Sequence, residues 1–164
     1  MKRKALIISI KSTNLSKMEK VLLSKEKPWG IILFKRNLKT FNQIKNLTSE
    51  IKSLTKNNKF PIIIDEEGEC VSRLKNIINH DVSAYYFGKL FNKNKSLCKN
   101  IYKNYIGSLS RLLNDLGINI NTIPVLDVLR KKTNKIIGNR SFSSNENVVK
   151  ELGSLTIKYL HANK

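Results

Sequence analysis

Residues 60–69 read Phe-Pro-Ile-Ile-Ile-Asp-Glu-Glu-Gly-Glu. An uninterrupted apolar run breaks into four carboxylates within five residues. A short run with no polar alternation is the pattern of a strand covered on both faces. Asp65 follows the run directly, so it is expected at the strand's rim, facing whatever cavity opens there. Such a cluster can bind a hard cation, orient hydroxyl groups, act as acid and base, or form no more than a solvated acidic turn. The alternating ligands and closing Glu of an EF-hand are absent. Arg73, eight residues on, is placed to close back on one of these carboxylates or on a ligand.

The same arrangement recurs along the chain. Ala5–Ile10 reads as a buried first strand, followed by a capping box at Ser16-Lys-Met-Glu19 and a helix with Leu15, Met18, Val21 and Leu22 at helical spacing. Pro28 ends that helix, and Trp29–Phe34 is a second apolar strand with Lys35-Arg36-Asn37 behind it. A second capping box, Thr40-Phe-Asn-Gln43, opens a helix striped by Phe41, Ile44, Leu47, Ile51 and Leu54. After the 60–69 stretch come a loop and a short helix near 85–91. A long helix over 97–116 bears Ile101, Tyr105, Leu109, Leu112 and Leu116, with Gly117 as its left-handed stop. A fourth strand falls within 118–128, carrying Asp127 near its end. Ser143-Ser-Asn-Glu146 caps a last helix with Val149, Leu152, Leu155 and Leu160.

Strands apolar on both faces, alternating with helices, imply a parallel sheet covered by helices. An open doubly wound sheet and a (β/α)8 barrel both fit. The dinucleotide-binding version of the first needs a glycine-rich turn after strand 1, and Lys11-Ser-Thr-Asn14 is not one. A barrel puts its chemistry on the loops at the carboxyl ends of its strands, where the polar clusters here fall. The 164 residues supply about four of the eight units, since a full barrel needs about 250.

The chain carries 31 Lys plus Arg against 12 Asp plus Glu, a formal charge of +19. This raises nucleic-acid binding as a rival reading. Against it, the charge is spread over the whole chain, and Lys outnumbers Arg about four to one, whereas phosphate recognition favours the guanidinium fork. Lys, Asn and Ile are in excess together, and their shared A/T-rich codons explain that better than a binding role. No apolar run approaches the roughly 20 residues of a membrane helix. The apolar stretch after Met-Lys-Arg-Lys is too short for a secretory signal. Two cysteines, Cys70 and Cys98, exclude a disulfide framework, so a reduced, cytoplasmic protein is expected. His80 and His161 lack partners at metal-ligand spacing and read as ordinary polar histidines. Ile137-Gly-Asn-Arg-Ser-Phe142 suggests a shaped loop that aims the Arg140 guanidinium.

Taken together and in order, Trp29-Gly-Ile-Ile-Leu-Phe-Lys-Arg-Asn37, Pro61-Ile-Ile-Ile-Asp-Glu-Glu-Gly68 with Val71-Ser-Arg-Leu74, Leu116-Gly-Ile-Asn-Ile-Asn121 with Pro124-Val-Leu-Asp-Val128, and Ile137-Gly-Asn-Arg-Ser-Phe142 resemble the amino-terminal part of glycoside hydrolase family three. The likeness is strongest to single-domain bacterial β-N-acetylglucosaminidases of peptidoglycan recycling. It implies a TIM-type (β/α)8 barrel, with residues 1–164 as the amino-terminal part of one barrel domain, ending before strand 5. It further implies a monomer without cofactor or metal that removes terminal N-acetylglucosamine from β-linked glycans with retention of configuration. Retention requires a carboxylate nucleophile and an acid/base. In the family these are an Asp late in the barrel and a His following a Lys-His-Phe-Pro-Gly-His-Gly type signature. The sequence contains no such signature, so no catalytic group is expected within it.

The resemblance assigns sugar binding to Asp65, Arg73 and Arg140. The departures are Glu69 for a Gly, Cys70 for an Arg, Asn139 for an Asp, and Ser9 where strand 1 commonly ends in Asp. Besides nucleic-acid binding, two rival readings stand: a pseudoenzyme that binds sugar or a partner without turnover, and the same barrel start serving another β-glycosidase specificity.

Overall fold

A computed structural model describes residues 3–162. The chain forms two compact units: Met1–Asp65 with Arg73–Asn79 and Leu113–Asn121, and Glu66–Ser72 with His80–Leu112 and Thr122–Lys164.

The first unit is built on a parallel sheet of four strands, β1 (Lys4–Ser9), β2 (Pro28–Leu33), β3 (Ile62–Ile64) and β4 (Ile120–Asn121), in the spatial order β1-β2-β3-β4. Sequence order and spatial order coincide. A doubly wound sheet reverses direction at a switch point, and this sheet has none, which is the order of a barrel's first four strands. The register sets Leu33 beside Ile64 and Ile64 beside Asn121, aligning the carboxyl ends of β2, β3 and β4.

Helix α1 (Lys17–Glu26) starts at the expected box: Ser16 Oγ accepts the Glu19 N–H, and Glu19 accepts the Ser16 N–H at 2.7 Å and the Lys11 N–H at 2.8 Å. Burial raises the Glu19 carboxyl, but those backbone hydrogen bonds win and leave it below its ordinary 4.5. A carboxyl depressed on folding stabilises above its unfolded value, and that contribution is lost as pH falls through the folded one. Glu19→Ala, which removes both of those hydrogen bonds, is therefore expected to cost about 1 kcal/mol, read as a drop in Tm of about 2–4 °C at neutral pH. The drop should shrink on acidification below the carboxylate range.

The apolar stripe of α1 differs from the spacing-based one. Leu15 and Leu23 are buried, while Met18 is 80% and Val21 50% exposed. Likewise β1 is not the buried strand its composition suggests, since Leu6 and Ile7 are more than half exposed. Among the described residues β1 pairs with β2 alone. Apolar pattern states what a strand can bury, whereas burial itself requires a covering layer.

Helix α2 (Phe41–Leu54) buries Ile44, Leu47 and Ile51 as expected, with Thr40 as its N-cap. The second capping box is only half made. Gln43 Oε1 accepts the Lys39 N–H instead of the Thr40 N–H, while its Nε2 donates to the carbonyls of Thr13 and Asn37. The fourth strand is limited to two residues, and Pro124 just beyond it has no N–H to add to a ladder.

In the second unit α3 (Ala84–Lys93) and α5 (Glu146–His161) pack with much of α4 (Lys95–Asp115) around Phe87, Phe91, Tyr102, Ile106, Phe142 and Leu152. The buried face of α4 runs through Cys98, Tyr102, Ile106, Leu109 and Leu113; of the expected stripe Leu109 and, just past the helix, Leu116 are buried, whereas Ile101 is exposed and Tyr105 and Leu112 are only half-buried. The aromatic pair Phe87–Tyr102 (centroids 4.6 Å apart) turns the amino-terminal half of α4 so that Tyr102, and not Ile101, faces the core. The α5 N-cap is Asn145, not Ser143, whose hydroxyl instead accepts the Asn145 N–H. Gly117 ends α4 at φ 74°, as expected.

Candidate substrate-binding site

Two charged clusters hold the expected site residues, one in each unit. In the first, Asp65 leaves the end of β3, and its Oδ2 accepts from Arg73 Nη2 at 3.2 Å. Both side chains are about one quarter exposed. The Arg73 guanidinium also lies 5.9 Å from the Phe34 ring centre, so it is held between a carboxylate and an aromatic face. The arrangement sets a guanidinium and a carboxylate together at one strand end, the two charged groups that can bind a hydroxylated ring by charged hydrogen bonds.

The loop after β2 supports this end of the sheet. Arg36 stacks on Phe34 at 4.8 Å and donates Nε–H to the Ile10 carbonyl and Nη2 to Ser9 Oγ. Asn37 is fully buried; it accepts the Phe34 N–H and donates to the Ile10 and Ser12 carbonyls. Arg36 and Asn37 thus tie the loops after β1 and β2 together. Sequence reading found a polar cluster at a strand end and could not assign this bracing role, because its partners lie 25 to 27 residues away.

In the second unit Arg140, on the turn Gly138–Arg140, grips Glu67 with both arms: Nε–Oε2 2.7 Å and Nη2–Oε1 2.9 Å. The hydrogen bond to Glu67 pushes the Arg140 guanidinium still higher than its ordinary value. Arg140 is indeed aimed, as its loop suggested, and its partner is a residue of the acidic run. Two of its five N–H donors are engaged by Glu67, which leaves three.

The loop bearing Glu67 is tightly made. The N–H groups of Glu67 and Gly68 both donate to the Val71 carbonyl. Gly68 sits at φ 126°, where a Cβ would also meet the Val82 carbonyl oxygen at 2.3 Å. Glu69, which replaces a family glycine, is not among the residues with positive φ, so that departure brings no backbone strain.

Glu66 is fully buried, and its Oε1 shares a hydrogen bond with His80 Nε2, while His80 Nδ1 meets the Tyr105 hydroxyl at 2.9 Å. Burial, with the Glu66 charge as a second cause, pushes Tyr105 up to about 12. His80 is therefore a half-buried residue linking Glu66 to Tyr105, and not the ordinary polar histidine its spacing suggested. The acid and the histidine are 14 residues apart, which no local pattern reports. The acidic run is thus divided: Asp65 to Arg73, Glu66 to His80, Glu67 to Arg140. Among the described residues no group of three His, Cys, Asp or Glu is arranged to hold a metal ion. Among the same residues no helix is long and apolar enough to cross a membrane.

Residues 2–164 match the family described as glycosyl hydrolase family 3 N terminal domain. The beta-hexosaminidase A of Pseudoalteromonas piscicida is 33% identical over 147 residues, covering 86% of this chain and 24% of that protein. The beta-hexosaminidase of Neisseria meningitidis serogroup B is 32% identical over 151 residues, 92% of this chain and 41% of that protein. Among solved structures, NagZ from Neisseria gonorrhoeae in complex with N-trifluoroacetyl-D-glucosamine superposes with a TM-score of 0.90 at 31% identity, covering 98% of this chain and 46% of that one. The chain spans less than half the length of the relatives it matches. With its parallel sheet in barrel order and its family match along nearly the whole sequence, the chain belongs to glycosyl hydrolase family 3, as the amino-terminal domain.

Proposed function

We propose that the chain supplies the amino-terminal part of a β-N-acetylhexosaminidase barrel, whose whole protein removes terminal N-acetylglucosamine from β-linked glycans with retention of configuration. Asp65, Arg73 and Arg140 are its sugar-binding residues on this reading. Peptidoglycan fragments are the substrate class, the cytoplasm is the site of action, and the whole enzyme works as a monomer without cofactor. The observation that carries the reading is the Asp65–Arg73 pair at the carboxyl end of β3, a carboxylate and a guanidinium fork held at a strand end of a family 3 domain. The neighbouring solved structure with N-trifluoroacetyl-D-glucosamine supports the sugar class.

The chemistry follows from charge. A carboxylate accepts from sugar hydroxyls and a guanidinium donates to them, and such bonds are about twice as strong as neutral ones. They orient the ring so that its anomeric carbon faces the nucleophile and acid/base, which on this reading lie outside the 164 residues. The test is Asp65→Ala in the polypeptide encoded by the entire reading frame, assayed with a chromogenic β-N-acetylglucosaminide. Loss of a charged hydrogen bond of about 1.5–3 kcal/mol lowers kcat/KM roughly 10- to 150-fold. Lys35→Ala, on the loop after β2, is the control and stays within about twofold. If Asp65→Ala folds and also stays within that range, the assignment fails.

A further inference from the structure

We propose that the first unit carries a second ligand site at the opposite end of its sheet from Asp65, fitted to a small amphiphilic anion: a phosphate or carboxylate on an apolar body. A cavity of about 570 Å³ opens where the chain enters β2 and approaches β3, between the ends of α1 and α2. Its volume lies within the range of small-molecule sites. The apolar lining includes Leu23, Pro28, Leu54 and Phe60. The charged lining is Arg3, Lys27 and Lys56, and no acidic side chain lines the cavity. The Arg3 guanidinium sits 5.6 Å from the Phe60 ring centre, so one cation already lies against an apolar surface.

The backbone gives an independent reason to regard the place as built. Lys27 (φ 51°) and Lys56 (φ 48°) are the two non-glycine residues with positive φ among the described residues, and both line this cavity. The left-handed region disfavours a side chain, and glycine or asparagine is the usual occupant after a helix. Strained positions concentrate where the side chain has a task. Each lysine follows a helix, and its charge also complements the carbonyl ends there, but that function would be served equally by a lysine within the last turn, as Lys25 and Lys52 already are. The neighbouring hydroxyls add acceptors and not further donors, because Ser24 and Thr55 donate to carbonyls of their own helices. Anion recognition therefore falls to the three cations, with the Asn57 amide as a neutral donor beside them, and the apolar lining takes the rest of the ligand.

The probe is phenyl phosphate, titrated into the polypeptide encoded by the entire reading frame and followed by backbone amide shifts, with inorganic phosphate and phenol as separate arms. Saturable shifts are expected at the cavity, tightest for phenyl phosphate, because only it uses both the cations and the apolar lining. Lys27→Gly/Lys56→Gly removes two cations while relieving the backbone. It should weaken phenyl phosphate by at least about tenfold, where tenfold corresponds to 1.4 kcal/mol, with the Tm unchanged or raised. Lys103→Ala, on the second unit, lowers the net charge without touching the cavity and should leave binding unchanged. The proposal is overturned if phenyl phosphate does not saturate, if inorganic phosphate binds as tightly, or if the double glycine variant binds as the wild type does. Equal weakening by Lys103→Ala overturns it as well, by reducing the effect to general positive charge. None of these outcomes bears on the sugar site.

Discussion

Incubated with a chromogenic β-N-acetylglucosaminide, the 164-residue chain releases chromophore at the buffer rate. Retaining hydrolysis needs two groups flanking the scissile bond, one to attack and one to protonate and then deprotonate. The proposed function puts both outside these residues. The acids at residues 65–67 are already matched to bases: Asp65 to Arg73, Glu66 to His80 and Glu67 to Arg140. A carboxylate held by a guanidinium is a hydrogen-bond acceptor for hydroxyls, and neither a free nucleophile nor a proton donor. Enzymes accelerate their reactions by about 10⁶-fold or more, so the assay separates the outcomes cleanly. Turnover that survives purification would place the reacting groups inside the chain and overturn the account.

Arg140→Ala is expected to be the most destabilising of the site variants. It removes both arms of the grip on Glu67, whose side chain is only 10% exposed, and leaves that carboxylate without its charge partner. Breaking a buried pair costs about 3–5 kcal/mol, and with Arg140 one quarter exposed the lower end applies. A loss of about 3 kcal/mol lowers Tm by about 6–12 °C in a chain of this size. Glu67→Ala/Arg140→Ala should recover part of the loss, because no carboxylate is then stranded. Thermal melts of the two single variants and the double one check this. Additive losses would show that the bidentate geometry contributes no coupling. Arg140→Ala is consequently a poor probe of sugar binding by itself, whereas Arg140→Lys keeps the charge and removes the fork.

The strand and helix succession was legible because short apolar runs and capping residues are local signals. Phe60–Ile64 gave β3, Ser16 and Thr40 gave the caps of α1 and α2, and Gly117 gave the end of α4. Asp65 was legible as a rim residue for the same reason: a carboxylate directly after a strand must leave the packed layer. Arg73 and Arg140 were legible from their spacing and loop, the family resemblance adding their sugar-binding role, and the structure ties each of these to an acid within its own unit.

What sequence alone determined is therefore the type and order of the elements and the strand ends at which charge collects. Tertiary structure decided that α4 buries Tyr102 and Ile106 and leaves Ile101 exposed, why Leu6, Ile7, Met18 and Val21 stay exposed, and which base each acid of residues 65–67 meets. It also drew Lys27 and Lys56, 29 positions apart by their numbers, to one cavity. The physical reason is range. Propensity, capping and periodicity act over one or two helical turns, whereas burial and ion pairing depend on surfaces that only the folded chain brings together.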